Sequence, residues 1–445
     1  MDKRLVIGSI ILLTLCLYLC YNSYAISNSS NIQNIEKPVL KSAYDALNGN
    51  YIVLKKGVFF TKQINQHPNT IFEVRDVFDL EKSVVTIPKG CILLFRGGAL
   101  TNGKLVGTGT IIEAPNYQIF SETCDVGGTF NNLSFNADWF GSIQKAIEIA
   151  TNNSGIVQLS AKVYELDSSL ELRRGVTLEG CGNEGAFLQN KGTIIKYAGK
   201  EPVVRMSGNS ENPVKNVTIR NLKIQGNGRN YHAGTNVGLY IGPKAYYCKF
   251  ENISLYGCSN GVEIDNGWNL NFESVNPYYC DKGYFINGKS GLPLTTTVFT
   301  TCAVYNSNIG FDLSYDMNAT TLVSCGTDGC ATSMKLAGCF GVSIISYEFE
   351  KHSKYGIHID NNDCYVTFVG LSPRLFASPE ATHIKIDRVG SVTFTDMYIS
   401  NSVIPKNGFT VDVRRQSAPK VIFNNCVIKG KSNNLKECKF IGITQ

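Results

Sequence analysis

Residues 250–258, 272–280 and 299–307 of this 445-residue chain superimpose as one pattern. Each opens on phenylalanine (Phe250, Phe272, Phe299). Each is followed by a glycine and a short apolar alternation: Gly261-Val262-Glu263-Ile264, Gly283-Tyr284-Phe285-Ile286 and Gly310-Phe311-Asp312-Leu313. The leading position continues through Leu322, Ile344, Phe368, Phe394 and Phe423, at spacings of 22, 27, 23, 22, 24, 26 and 29 residues from Phe250 onward. A period in the twenties with strand-like alternation inside it, running over residues 216–430, is the signature of a β-solenoid. A solenoid lengthens by adding rungs, so the chain's length does not force a division into ordinary domains.

Within a unit the apolar residues fall at −2, 0, +3 and +5 around the leading residue. Val217, Ile219, Leu222 and Ile224 show this, as do Val392, Phe394, Met397 and Ile399. A strand alternates with period two, so the step of three marks a corner. At +2 stand Asn221, Asn252, Ser274, Thr301, Ser324, Ser346, Asp396 and Asn425. Such small polar residues suit a left-handed corner and a hydrogen-bonded ladder between rungs. One strand before the corner, one after it and a third near +12 to +15 predict an all-β parallel β-helix with three strands per coil. Its rungs would lie about 4.8 Å apart.

Ahead of the repeat, residues 51–135 are rich in β-branched residues and glycine. They break into short strands, either the first coils of the solenoid or a small separate β-rich region. Residues 142–150 are the convincing helix after the leader: Ile143, Ala146, Ile147 and Ala150 share a face, and Ser142 is placed to cap it. Ala137-Asp138-Trp139-Phe140-Gly141, this helix, Gly155-Ile156-Val157-Gln158-Leu159, Tyr164 and Gly175-Val176-Thr177-Leu178-Glu179-Gly180-Cys181-Gly182 follow one another in order. Together they resemble the opening of the pectate-lyase-superfamily right-handed parallel β-helices, a group that includes phage tailspike-like proteins and exported polysaccharide-degrading enzymes of gut Bacteroidetes. The resemblance covers roughly residue 137 to the C-terminus. It implies a right-handed single-stranded β-helix over residues 136–445 with a short N-terminal helix cap, an exported location and a carbohydrate-related role. It carries over no catalytic residue: the family's acidic Gly-Asp-Gly-x-x-Asp-Asp stretch is missing, since Gly141 runs straight into Ser142.

Residues 1–25 read as a signal peptide. Lys3 and Arg4 precede an apolar run, and Ser23-Tyr24-Ala25 offers a small-x-small cleavage site. An uncleaved anchor helix or a lipidated cysteine are the alternatives, and all three place the rest of the chain outside the cytoplasm. Residues 26–50 read as a tether. The net charge of +6 is mild and includes the leader's Lys3 and Arg4, so it does not argue for nucleic acid. Thirteen cysteines follow the leader. Cys258, Cys280 and Cys330 share one register and Cys302, Cys325 and Cys426 another, which favours stacked small apolar side chains inside the coil over a disulfide framework. No cysteine or histidine spacing suits zinc.

Columns of outward side chains can be read from the repeat. After the corner, position +6 is Tyr256, Tyr278, Tyr305, Asp328 and Glu350, with Glu348 at +4. The tyrosines would serve either as a platform for sugar rings or as a stack beneath a loop. On the third strand the first outward column is Glu263, Phe285, Asp312, Lys335, His358, Lys385 and Asp412. The second is Asp265, Asn287, Ser314, Ala337, Asp360, Asp387 and Arg414. Asp312, Lys335, His358, Asp360, Lys385 and Asp387 form the candidate catalytic patch. With strict register Asp360 and Asp387 are neighbours about 5 Å apart, which should raise one pKa and suits a retaining glycosidase pair. His358 between Lys335 and Lys385 suits a uronic acid instead, with lysines holding its carboxylate while a base removes the adjacent proton. The bland alternative is a solvated mixed-charge sheet face.

The Asn-Thr-Asp, Asp-Asp, Gly-His-Gly and Arg-Ile-Lys set of polygalacturonases is absent, and no pectate-lyase arginine motif can be placed; Arg374 is isolated. No cofactor is implied. Asp312 and Asp316 would suit calcium, but no ligand spacing identifies such a site. The expected function is that of an exported carbohydrate-active protein, a polysaccharide lyase or glycoside hydrolase. The alternative is a non-catalytic glycan-binding or adhesin-like solenoid. The expected partner is a polysaccharide. A homotrimer is known among tailspike-like proteins, and no interface for one is visible in the sequence.

Overall fold

The computed structural model describes residues 50–153, 155–172, 174–183, 191–374, 378–399 and 404–442. The expected signal peptide and residues 26–49 of the tether lie outside these. The chain forms a right-handed parallel β-solenoid of about 16 turns. The leading residues stack in the expected order. Ile219, Phe250, Phe272, Phe299, Leu322, Ile344, Phe368, Phe394 and Phe423 are successive cross-strand partners. The column extends beyond the sequence repeat in both directions, through Phe135, Val157 and Leu178 before it and to Phe440 after it.

All of these repeat-column side chains from Ile219 to Phe423 are buried. The aromatic ones lie nearly flat on one another: Phe250 and Phe272 are 4.6 Å apart and Phe272 and Phe299 4.8 Å. Rung spacing and ring stacking therefore coincide, and each such side chain contributes roughly 1.5–3 kcal/mol by leaving water.

The eight corner residues read from the sequence all adopt positive φ, between 50° at Asn425 and 58° at Asn221. Between them the ladder forms where side chains allow it: Asn252 Nδ2 donates to Asn221 Oδ1 (3.0 Å), and the Ser274 and Thr301 hydroxyls bond at 2.9 Å. A second left-handed corner lies three residues before the leading position, at Asn216, Tyr247, Asn269, Thr296 and Ala319. Ahead of it each coil carries an additional two-residue strand, such as Ala245–Tyr246 and Gly267–Trp268. Its residue types vary too widely to be recognised from the sequence.

Residues 51–113 also build parallel rungs. Tyr51, Ile71, Ile92 and Ile111 pair in succession, and one buried apolar cluster runs from Leu54 to Cys438. The helix Ile143–Asn153 buries Ile143, Ala146, Ile147 and Ala150 in that cluster. Just before it, Asp138 accepts hydrogen bonds from Ser160 and Tyr164 and pairs with Lys162 at 2.5 Å. Burial opposes its charge, but these partners outweigh burial and hold its carboxyl below the usual range. The described cysteines are all free, and all but Cys181 are buried. The buried ones fill the coil, as the register suggested for Cys258, Cys280, Cys330, Cys302, Cys325 and Cys426.

Candidate functional site

The third strands form one sheet of eleven. In it Glu263, Phe285, Asp312, Lys335, His358, Lys385 and Asp412 are successive partners, as expected. The second column departs from expectation. A β-bulge follows Ile359, so that Asp360 pairs with Arg388 and Asp387 becomes the extra residue. Asp360 and Asp387 are therefore not register partners. A bulge re-aims the side chain it inserts, and here it brings Asp387 Oδ2 to 2.9 Å from His358 Nε2.

A carboxylate can only accept, so Nε2 carries the proton, and Nδ1 of the neutral ring presents its lone pair. Nδ1 has no partner among the described residues. The same Asp387 lies 3.4 Å from Lys385 Nζ, which also pairs with Asp412 at 2.6 Å. Partial burial opposes the charge of Asp387, but the bonds from His358 and Lys385 outweigh it and hold the carboxyl below the usual range. The carboxylates of Asp360 and Asp387 do come within 4.8 Å of each other, but Asp387 is not a carboxyl raised by a like-charged neighbour, because it also faces cations; Asp360 is engaged by Arg388 Nε at 2.6 Å. Burial also disfavours the Lys385 charge, yet Asp412 and Asp387 leave its pKa raised. Lys335, one rung before His358, has no ion-pair or hydrogen-bond partner among the described residues. The Tyr355 ring lies 4.9 Å from that of His358.

Asp312 does not belong to this open patch. It is 2% exposed, pairs with Lys282 Nζ at 2.7 Å and accepts from Ser314. Lys282 also covers the Phe285 ring at 3.4 Å. The sequence placed Asp312 in the right column but did not show that a lysine on the preceding rung would neutralise its charge. Lys282, Arg388 and Tyr355 are the residues missed at this face. The bulge left one trace: apolar alternation through Ile384 and Ile386 next resumes at Val389, three residues on.

The candidate saccharide platform lies on a different sheet, so the two candidate sets do not form one site. Tyr256, Tyr278, Tyr305, Asp328 and Glu350 are in the expected register. Tyr278 and Tyr305 stack at 4.8 Å with a 6° interplanar angle and stay half-buried. Burial pushes the Tyr278 hydroxyl up to about 12. Tyr256 is 1% exposed, packed edge-on against Tyr279 beneath Tyr231, whose backbone N–H donates to its hydroxyl. It is the tyrosine beneath a loop, not part of an open platform. Beyond Tyr305 a recess of about 380 Å³ is bordered by Asp328, Glu348 and Glu350. Lys351 pairs with Asp328 and Arg374 with Glu348, whereas Glu350 has no partner among the described residues.

No protein-family model and no curated protein sequence matches this chain. Three solved structures are similar to it. The gp42 tailspike of Acinetobacter phage vb_AbaP_AS12 matches 68% of this chain over 62% of its own, at 14% identity and a TM-score of 0.44. The ORF18 protein of Geobacillus virus E2 matches 69% over 59%, at 13% identity and 0.42. The A-module of the mannuronan C-5 epimerase AlgE4 of Azotobacter vinelandii matches 64% over 77%, at 16% identity and 0.32. The chain spans about three fifths of the length of the two viral proteins. The β-helix assignment stands on the chain's own strand register.

One ligand atom each from His358, Asp360 and Asp387 lies within 4.8 Å of the others, the one such grouping among the described residues. A metal there would have to displace the His358–Asp387 bond and the Arg388 pair beside Lys385. Asp312 is committed to Lys282, which weakens the calcium reading at Asp312 and Asp316.

Proposed function

We propose that this protein is exported and cleaves an acidic polysaccharide by β-elimination on the third-strand face. The observation that supports this reading is His358, oriented through Nε2 by Asp387 and free at Nδ1, with unpartnered Lys335 on the neighbouring rung. Lys335 holds the uronate carboxylate, and its charge stabilises the carbanion-like transition state. His358 Nδ1 takes the proton adjacent to that carboxylate. The electron pair of the broken C–H bond forms a carbon–carbon double bond, the glycosidic C–O bond breaks, and the leaving oxygen takes a proton from solvent. Asp387 balances the imidazolium that results. Hydrolysis fits less well, because it needs one carboxyl free to act as acid, whereas Asp387 is bonded to His358 and Asp360 to Arg388. The apolar leader and its cleavage site support export.

The test is a panel of acidic polysaccharides, followed by the ultraviolet absorbance of the unsaturated uronide. His358→Ala and Lys335→Ala should each lower the rate by about 10²-fold or more. Undiminished activity in the double variant on a confirmed substrate rejects the assignment. The stacked Tyr278 and Tyr305 favour a second reading, a non-catalytic glycan-binding solenoid. Saturable binding without new reducing ends or unsaturated products, lost in Tyr278→Ala, would mark it.

A further inference from the structure

The spacing between leading residues is 22 from Phe250 to Phe272 but 31 from Ile219 to Phe250. The extra length is spent on residues 226–235, a loop rising from the strand after the corner. This loop walls a recess of about 820 Å³ on the sheet that carries the tyrosines. It lies on a different sheet from His358 and Lys335.

The wall is built, not draped. Asn227 Nδ2 donates to Gly199 O at 3.0 Å and to Thr235 Oγ1 at 2.9 Å, while its Oδ1 accepts from Thr235 N at 2.7 Å. Asn236, fully buried, ties Asn227 N to Tyr197 O. Gly228 N donates to Gly257 O of the next coil at 2.8 Å. A Cβ on Gly234 would meet that carbonyl at 2.4 Å, so the chain there needs glycine. Tyr231 closes the structure over Tyr256 and lies edge-on to Tyr279, with ring centroids 5.0 Å apart.

Inside the recess, Lys196, Gln225 and Tyr256 follow one another in register along the floor. Lys196 pairs with Glu165 at 2.8 Å. The side chains of Gln225 and Arg229 have no hydrogen-bond or ion-pair partner among the described residues, and both line the recess. A free amide, an unpaired guanidinium and a paired lysine in a polar recess of this size match a hydroxyl-rich anion. The same column continues to the Tyr278–Tyr305 stack, whose aromatic faces suit sugar rings.

We infer that this recess binds the anionic end of an oligosaccharide, with Arg229 on its carboxylate or sulfate and Gln225 on its hydroxyls, and that the loop 226–235 blocks further extension of the chain. This site is separate from the His358 face and shares with the proposed function only the carbohydrate nature of the ligand.

The experiment is calorimetric titration of the full chain with four probes: tetragalacturonate, tetramannuronate, a sulfated chondroitin tetrasaccharide and neutral maltotetraose. At least one acidic probe should bind and maltotetraose should not. Arg229→Ala should weaken the acidic probe at least tenfold and Arg229→Lys less, with thermal midpoints unchanged. His358→Ala should leave this affinity as it was. No binding by any acidic probe, equal binding of maltotetraose, or an unchanged affinity in Arg229→Ala overturns the inference. Turnover lost in His358→Ala while Arg229→Ala binds normally would sink this site and leave the proposed function standing.

Discussion

Asp387 and His358 are joined by a 2.9 Å hydrogen bond although their backbones are not register partners. Lys385 is the partner of His358, and the bulge in the later strand turns the extra residue, Asp387, back onto the imidazole. The register alone sets Lys335 and Lys385 on either side of His358, and the one inserted residue adds the carboxylate that orients its ring.

Asp387→Asn keeps the shape and removes the charge that fixes the His358 tautomer. Turnover should fall by about 10²-fold with little change in KM, since Asp387 positions the base and does not touch substrate. Its pKa is lowered in the folded chain, so its stabilisation is complete above the unfolded carboxylate range, about 4. It is lost as pH falls through the still lower folded value. The urea midpoint of Asp387→Asn should therefore approach that of the parent chain only at acid pH. An equal gap at pH 3 and pH 7 would contradict this.

Inside the coil, His352 and His383 face each other at 3.0 Å, both fully buried against Phe349. Burial, and then the charge of His383, push the His352 pKa down to about 3. The unfolded chain binds that proton near pH 6.5 while the folded chain does not, so this group leaves stability unchanged above that value and lowers it as pH falls towards 3. The slope from one proton is about 1.4 kcal/mol per pH unit. Denaturation followed from pH 7 to pH 4 should show it, and His352→Phe should flatten it.

Asn252 holds φ at +51° and bonds Asn221. Asn252→Val places a β-branched side chain in the left-handed region and should cost about 1–2 kcal/mol. Asn252→Gly should lose less. Equal urea midpoints for the two variants would show that the corner is not strained.

Phe272 is fully buried between Phe250 and Phe299. Phe272→Ala should cost about 3–5 kcal/mol and lower the thermal midpoint more than Phe440→Ala at the exposed end of the column.

Much of this architecture is legible in the chain alone. The Phe column, the eight corner residues and the outward order from Glu263 to Asp412 were all readable, because a solenoid translates sequence period directly into spatial adjacency. Each position needs only to suit the residue above and below it. Partnerships that escape this rule were not readable. Lys282 reaching Asp312 and Tyr231 covering Tyr256 depend on a long side chain or a loop crossing between columns, and Arg388 faces Asp360 only because the bulge shifts the register. The bulge at Asp387 also needed the folded sheet, since one extra residue in a strand is indistinguishable from a longer turn until its hydrogen-bonded partners are known. The period placed the candidate residues on their faces. Which carboxylates are neutralised, which tyrosine is sealed and which imidazole nitrogen stays open depend on contacts between rungs that no single repeat contains.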